Sequence, residues 1–260
     1  MHIDKVIFSV TDKYVDYWNI NSKVWKNYMK IQPVCVYFGK SKLDDTYGEV
    51  VYMNLSDNLP KLFQVIWSKF FYASTQKNDV CIIGDIDQIP LQKYWFCDMI
   101  ANISENSYVH LNAYSNGNIL LNGPQVNGGC DLPAHYHVAK GSVYNQLYSN
   151  GYSNLHDQVK FIVDTNKYGL GKIAPNRWGS CESDIYWCAE EMYTSDMLYN
   201  NKLNTDLHLF ELKHRIDRGN GFNYDVNMLK AQQYVDIHCS GNYNESEQIM
   251  NNILNQAGIL

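Results

Sequence analysis

Val80-Cys81-Ile82-Ile83-Gly84-Asp85-Ile86-Asp87-Gln88-Ile89-Pro90-Leu91 sets four consecutive apolar residues just ahead of two carboxylates one residue apart. A compact apolar run without alternation reads as a strand covered on both faces, as in a mainly parallel sheet with helices on either side. Upstream of it, Leu62, Phe63, Ile66, Trp67, Phe70 and Phe71 form one broad apolar stripe, a helix opened by Pro60, capped near Asp57 or Asn58 and running to Ala73. Lys5 to Val10 reads as a buried strand, and Val15, Trp18, Trp25 and Met29 recur at helical spacing between Tyr14 and Met29. Pro33 to Phe38 and Glu49 to Leu55 are two further strands, each closed by turn-forming residues. Up to about residue 100, this alternation predicts an open α/β sheet.

Downstream the pattern changes. Tyr108 to Ala113, Ile119 to Leu121 and His135 to Ala139 read as short strands between the loop-forming Asn122-Gly123-Pro124 and Asn127-Gly128-Gly129. Helices are predicted from Ser142 to Tyr148, Leu155 to Val163, about Glu190 to Leu198 and Ser246 to Leu254, with a loop from Gly169 to Asp184. No repeat, low-complexity tract or linker interrupts the chain, so residues 1–260 are expected to form one domain.

The apolar share of 45% and charged share of 18% exclude a disordered chain, because enough hydrophobic surface exists to offset the entropy lost on folding. A net charge of −6 gives no basic field to draw the protein to nucleic acid or anionic lipid. The seven cysteines are scattered without a CxxC pair and read as reduced, mostly buried thiols. No stretch of roughly 18 apolar residues and no signal-peptide core is present, so a soluble, cytoplasmic protein is expected.

Ligands of open α/β sheets sit outside the carboxyl ends of the strands, where Asp85 and Asp87 fall. Two carboxylates so placed can converge on a hard cation such as Mg²⁺ or Mn²⁺, which would in turn hold a diphosphate. Asp residues ahead of Pro90 also suit a plain turn. The strand and helix before the pair favour the cation.

The segment from Val80 to Leu91, after the helix ending Trp67-Ser68-Lys69-Phe70-Phe71-Tyr72-Ala73-Ser74, resembles the DxD segment of GT-A-fold glycosyltransferases, including small ones encoded by large DNA viruses. The resemblance implies a Rossmann-like, mainly parallel central sheet flanked by helices, a nucleotide-sugar-binding half (1–100) and a mixed acceptor-side half (101–260). It implies a hexosyl- or deoxyhexosyltransferase that uses Mn²⁺ or Mg²⁺, a nucleoside-diphosphate sugar (a UDP-sugar before others) and a glycan or other hydroxyl acceptor, with inversion the expected outcome. For a virus-encoded chain the compartment would be the host cytoplasm.

Carried over by position, the loop after the first strand cups the nucleoside, which falls on Val10, Thr11 and Asp12, residues that equally suit an Asx or ST turn. Asp85 approaches ribose and metal, and Asp87 binds metal. Lys69 either reaches phosphate or ribose or is a solvated helix-face lysine, the commoner role. His238, in Val235-Asp236-Ile237-His238-Cys239, is either a third metal ligand or a core histidine held by a carbonyl, with Asp236 a weaker ligand candidate. Glu190-Glu191 resembles the acidic helix start that supplies the base in inverting enzymes, with Glu191 ahead of Glu190, although the helix dipole alone also favours carboxylates there. Asp131, His135 and Tyr136 are candidates for sugar hydroxyls, His135 with His137 an alternative metal pair, and Trp178 and Trp187 candidate sugar platforms.

Two rivals stand beside this reading. An aspartate-nucleophile phosphotransferase of the haloacid-dehalogenase type also carries DxD, but on its first strand, followed by Thr or Val where Ile89 stands. A non-catalytic carbohydrate-binding module has only the tyrosine-rich composition in its favour.

Overall fold

The computed structural model describes residues 1–115, 118–119, 132–165, 189–200, 205–239 and 241–260. In chain order the first half runs β1 (Lys5–Val10), α1 (Tyr17–Lys23), β2 (Gln32–Tyr37), β3 (Glu49–Tyr52), α2 (Lys61–Thr75), β4 (Val80–Ile83) and β5 (Gln88–Pro90). There follow β6 (Tyr108–His110), the short pair β7 (Tyr114–Ser115) and β8 (Asn118–Ile119), β9 (His137–Lys140), α3 (Gly141–Tyr148), α4 (Leu155–Thr165) and α5 (Ala189–Asn200). The chain closes with β10 (Leu207–Leu209), β11 (Ile216–Asp217), α6 (Val226–Lys230), β12 (Asp236–His238) and α7 (Tyr243–Gln256).

Seven strands form the central sheet in the order β10-β6-β9-β4-β1-β2-β3. β1 pairs in parallel with β2 and β4, β2 with β3, and β10 with β6, while β9 is antiparallel to both of its neighbours. This is the α/β fold with a mixed second half that the sequence predicts. Alternation along the strands divides the core. Val6, Phe8, Val10, Val80 and Ile82 pack with Trp18 and Trp25 on one face, and Ile7, Cys81 and Ile83 with Phe63, Trp67 and Phe70 of α2 on the other. Both faces are thus buried, which is why β4 shows no alternation.

The order reverses at β1. The chain proceeds outward through β2 and β3, then returns to lay β4 on β1's other side. A crevice at the carboxyl ends of β1 and β4 is the geometric consequence, and it places the loop after Val10 beside the turn after Ile83.

Several boundaries differ from the sequence reading. α2 has no side-chain cap from Asp57 or Asn58; buried Gln64 instead exchanges hydrogen bonds with the Ser56 backbone, at 2.8 and 2.9 Å. The strand expected from His135 begins at His137, because Tyr136 takes a left-handed φ of 65° that breaks the extended run. α7 starts at Tyr243, capped by the Asn242 side chain. Sequence patterns missed β10, β11 and α6, which are too short to show a period. Cys35, Cys81 and Cys239 are buried free thiols and Cys97 is half-buried. Among the described residues no helix is long and apolar enough to cross a membrane.

A buried polar network anchors the stretch ahead of β9. The Tyr148 hydroxyl donates to Tyr108 (2.9 Å), and Tyr108 donates to His137 Nδ1 (2.8 Å). His137 Nε2 and His110 Nε2 both donate to the Pro133 carbonyl, at 2.8 and 3.0 Å, while His110 Nδ1 accepts from Asn112 N. These partners fix both rings as neutral Nε2–H tautomers, and burial pushes both pKa values down, that of His110 to about 3. Unfolding frees rings that protonate near pH 6.5, so stability is complete above that pH and is lost as pH falls below it, by up to about 1.4 kcal/mol per unit for each ring. The urea midpoint should therefore drop between pH 7 and 5. A flat profile would mean that the rings protonate in place.

Candidate functional site

The carboxylate pair owes its position to a tight turn. Gly84 follows β4 where a Cβ would lie 2.5 Å from Phe8 Cε1, so only glycine brings Asp85 this close to β1. Gln88 N donates to Asp85 O (3.0 Å), closing the turn around Ile86 and Asp87. Buried Asn21 of α1 clamps it from behind, its Nδ2 donating to Ile86 O (2.8 Å) and Gln88 O (3.1 Å).

A second, three-stranded sheet of order β11-β12-β5 then carries distant residues to the turn. β12 lies antiparallel to β5 with His238 opposite Gln88, and Cys239 N donates to Asp87 O at 2.8 Å. β11 lies parallel to β12 with Asp217 opposite His238, which puts Arg218 at the same end. Asp87, Asp217, Arg218 and His238, with up to 150 residues between them in the chain, are thus brought to one turn by strand register.

Asp85 is held from two sides. Lys69 Nζ of α2 lies 2.5 Å from Oδ1 and His135 Nδ1 3.3 Å from Oδ2. Burial by itself would raise this carboxyl, but the Lys69 charge and the His135 hydrogen bond outweigh it and hold Asp85 well below the usual carboxylate range. Lys69 is therefore not a solvated lysine: it is buried and ion-paired, which corrects the commoner expectation. His135 accepts from Asn112 Nδ2 at Nε2 (3.0 Å) and so presents Nδ1–H to Asp85. Burial lowers the ring's pKa and Asp85 only partly offsets it, so His135 is neutral.

Asp87 behaves oppositely. Burial first, and then the nearby Asp85 carboxylate, push its carboxyl up, against the pull of His238 and Arg218. Arg218 Nη1 lies 3.2 Å from Asp87 Oδ2 and donates to Cys239 O at 2.5 Å. His238 Nδ1 donates to Asp217 Oδ2 at 2.8 Å, leaving the lone pair on Nε2, the tautomer that a metal-bound imidazole needs. Asp217 is itself fixed by Gly219 N (2.6 Å), and although burial raises its carboxyl, that bond and His238 bring it down.

Among the described residues no three His, Cys, Asp or Glu side chains are spaced to hold a metal ion. The donors fit a hard divalent cation in kind, because the turn carries two crowded carboxylates and the adjacent strand an Nε2 lone pair backed by a carboxylate. Asp236 is not among them. It is fully buried, accepts from Arg215 at 3.0 and 2.5 Å, and takes the Tyr136 hydroxyl at 2.5 Å. That also removes Tyr136 as a binder of sugar hydroxyls. His135 and His137 are no metal pair either, since one ring faces Asp85 and the other Tyr108 and Pro133.

On the β1 side, Val10 is buried and its carbonyl accepts from Phe38 N. Thr11 Oγ1 accepts from Lys13 N at 3.4 Å, an ST turn, and exposed Asp12 accepts from the Tyr37 hydroxyl. Gly241 closes over this loop, where a Cβ would come 3.1 Å from the Tyr14 hydroxyl. At the start of α5, Glu191 Oε1 accepts from Ala134 N (3.2 Å), docking the helix on the stretch that the polar network anchors. Glu190 is buried, and its Oε2 has no partner among the described residues. Burial, then the neighbouring Glu191, push its carboxyl well above the usual carboxylate range, with Lys69 pulling the other way. The candidates Asp131, Trp178 and Trp187 lie outside the described residues.

The sequence reading missed Arg218, Asp217, Asn112 and Asn21. None stands in a motif, and only Asp217-Arg218-Gly219, a charged pair at a turn, gave any local signal.

No protein-family model matches the chain, and no curated protein sequence matches it. The fold is the GT-A fold of glycosyltransferases. The chain is similar to the galactosyltransferase LgtC in complex with donor and acceptor sugar analogues, at 12% identity over 98% of this chain and 96% of that one, with a TM-score of 0.50. An active-site mutant of LgtC matches at 10% identity over 98% and 95%, with a TM-score of 0.54. At such identity the likeness is one of fold.

Proposed function

We propose that this protein is a glycosyltransferase that moves a hexosyl or deoxyhexosyl group from a nucleoside-diphosphate sugar, a UDP-sugar before others, to a hydroxyl of a glycan or other acceptor. One observation carries the reading. At the crevice where strand order reverses, the turn after β4 carries Asp85 and Asp87, and the β5–β12 register lays His238, whose Nδ1 is held by Asp217, alongside that turn. That donor set suits a divalent cation bound to a diphosphate. Mn²⁺ or Mg²⁺ held by Asp85, Asp87 and His238 would neutralise charge on the departing nucleoside diphosphate. Val10, Thr11 and Asp12 border the nucleoside, Lys69 and His135 fix Asp85, and Asp131 belongs to the sugar side. Residues 1–100 are the donor half and 101–260 the acceptor half of one domain. Glu191 takes the proton of the acceptor hydroxyl, with Glu190 behind it, as that oxygen bonds to the anomeric carbon on the face opposite the departing nucleoside diphosphate; the C–O bond to the diphosphate breaks and the centre inverts.

A phosphotransferase of the haloacid-dehalogenase type is disfavoured, since the Asp85–Asp87 pair follows β4 and not the first strand, and Ile89 stands where that family carries Thr or Val. Nothing in the site favours a binding module.

Thermal stabilisation by UDP-, GDP- and dTDP-sugars with and without Mn²⁺ tests the proposal. A ligand at 100 times its Kd adds about 2.7 kcal/mol of apparent stability, so one donor should raise Tm in a Mn²⁺-dependent manner. His238→Ala should move that Mn²⁺ dependence to higher concentration, by about 10-fold or more. If no nucleotide shifts Tm, the donor assignment fails; if His238→Ala leaves the metal requirement unchanged, His238 is a structural histidine.

A further inference from the structure

Arg218 sits where the proposed cation would have to act. Its guanidinium Nη1 is 3.2 Å from Asp87 Oδ2, and the same nitrogen donates to Cys239 O at 2.5 Å. The side chain is 42% exposed, against 15% for Asp87, so its far side faces solvent and not the core. Among the described residues Nε and Nη2 of Arg218 make no hydrogen bond, although a guanidinium carries five donors in a flat fork. Asp85 has its own resident cation in Lys69, but Lys69 is buried and fixed, whereas Arg218 is the exposed one of the two.

A divalent cation at Asp87 and a guanidinium on the same carboxylate compete for one charge. The backbone contact to Cys239 O gives Arg218 a pivot beside the site that does not depend on Asp87. A fork with two unused donor nitrogens, Nε and Nη2, matches the oxygens of a phosphate, which arginine takes bidentately. We propose that Arg218 is the counter-ion of Asp87 before the cation arrives, and that on the cation's arrival it exchanges Asp87 for the diphosphate of the donor. The exchange couples the two ligands: the cation binds weakly alone and tightly with the nucleoside diphosphate, because only the diphosphate gives the displaced guanidinium a new partner. This proposal rests on the reading of the Asp85–Asp87 turn as a cation site.

Direct binding measures it without turnover. Titration of the full chain with Mn²⁺, followed by calorimetry or by the paramagnetic resonance signal of free Mn²⁺, is run with and without saturating UDP, GDP or dTDP. Arg218→Gln should bind Mn²⁺ alone about fivefold more tightly, since a half-exposed charge pair is worth about 1 kcal/mol. In the presence of the nucleotide that advantage should vanish or reverse, because the variant lacks the diphosphate contact. Arg218→Lys keeps the charge and should bind Mn²⁺ alone within about twofold of wild type, by the same electrostatic argument. Melting curves of each variant confirm that it is folded. Equal Mn²⁺ affinity of wild type and Arg218→Gln, with and without nucleotide, would overturn the role of Arg218 while leaving the cation site standing. Absence of Mn²⁺ binding to wild type under every condition would sink the cation reading itself and Arg218's role with it.

Discussion

Asp87→Ala should reduce metal-dependent sugar transfer by about 10²-fold or more, the loss usual when a group that stabilises transition-state charge is removed. The fold should survive. The contact that ties Asp87 to β12 is made by its backbone, with Cys239 N donating to the carbonyl, and an alanine preserves it. Arg218 loses one partner but keeps the Cys239 carbonyl and remains accessible to water, so little is left buried and unpaired. Tm should therefore stay near wild type while Mn²⁺-dependent turnover collapses. Near-normal turnover with Mn²⁺ would refute the metal assignment. The variant also separates the rivals, because a phosphotransferase would show phosphate release or a trapped phosphate on Asp85 and no sugar transfer at all.

Glu191→Gln is expected to cost roughly 10²-fold or more in transfer, the range for loss of a general base. The amide oxygen still accepts from Ala134 N, so α5 stays docked and donor binding persists. Glu190→Gln is the matched control. Glu190 sits on the same helix turn, but burial and the neighbouring Glu191 both disfavour a charge on its carboxyl, so a neutral amide suits its place and transfer should change little. Losses that are equal in the two variants would point to the helix terminus and not to a base. Damage confined to Glu190→Gln would exchange their roles. Product stereochemistry by NMR gives an independent check: retention of the donor's anomeric configuration excludes Glu191 as the base of a single displacement.

The structure separates Glu190 from Glu191, which two adjacent identical residues could not do for themselves. One is buried with an orphan oxygen, the other hydrogen-bonds a neighbouring loop, and that bond depends on where the stretch from Leu132 to Tyr136 runs. That path is set by His110 and His137 converging on Pro133 O, a contact that the strand pattern around either histidine does not announce. Lys69 is a similar case. Helical spacing puts it on α2, but its burial against Asp85 follows from β4 lying next to β1.

Local information was sufficient wherever a residue's role depends on its chain neighbours. β1 spans the residues its apolar run marks, β4 and α2 lie within a residue or two of theirs, and the apolar run of β4 ends directly before the Gly84-Asp85 turn. Composition and charge required a folded core and gave no reason to expect nucleic acid. Pairing decided the rest. Asp87, Asp217, Arg218 and His238 come together because β5, β12 and β11 share a register, in strands of two or three residues that carry no readable period. Their side-chain chemistry is written in the sequence, but the distances between them are set by hydrogen bonds across up to 150 intervening residues, and only folding fixes those.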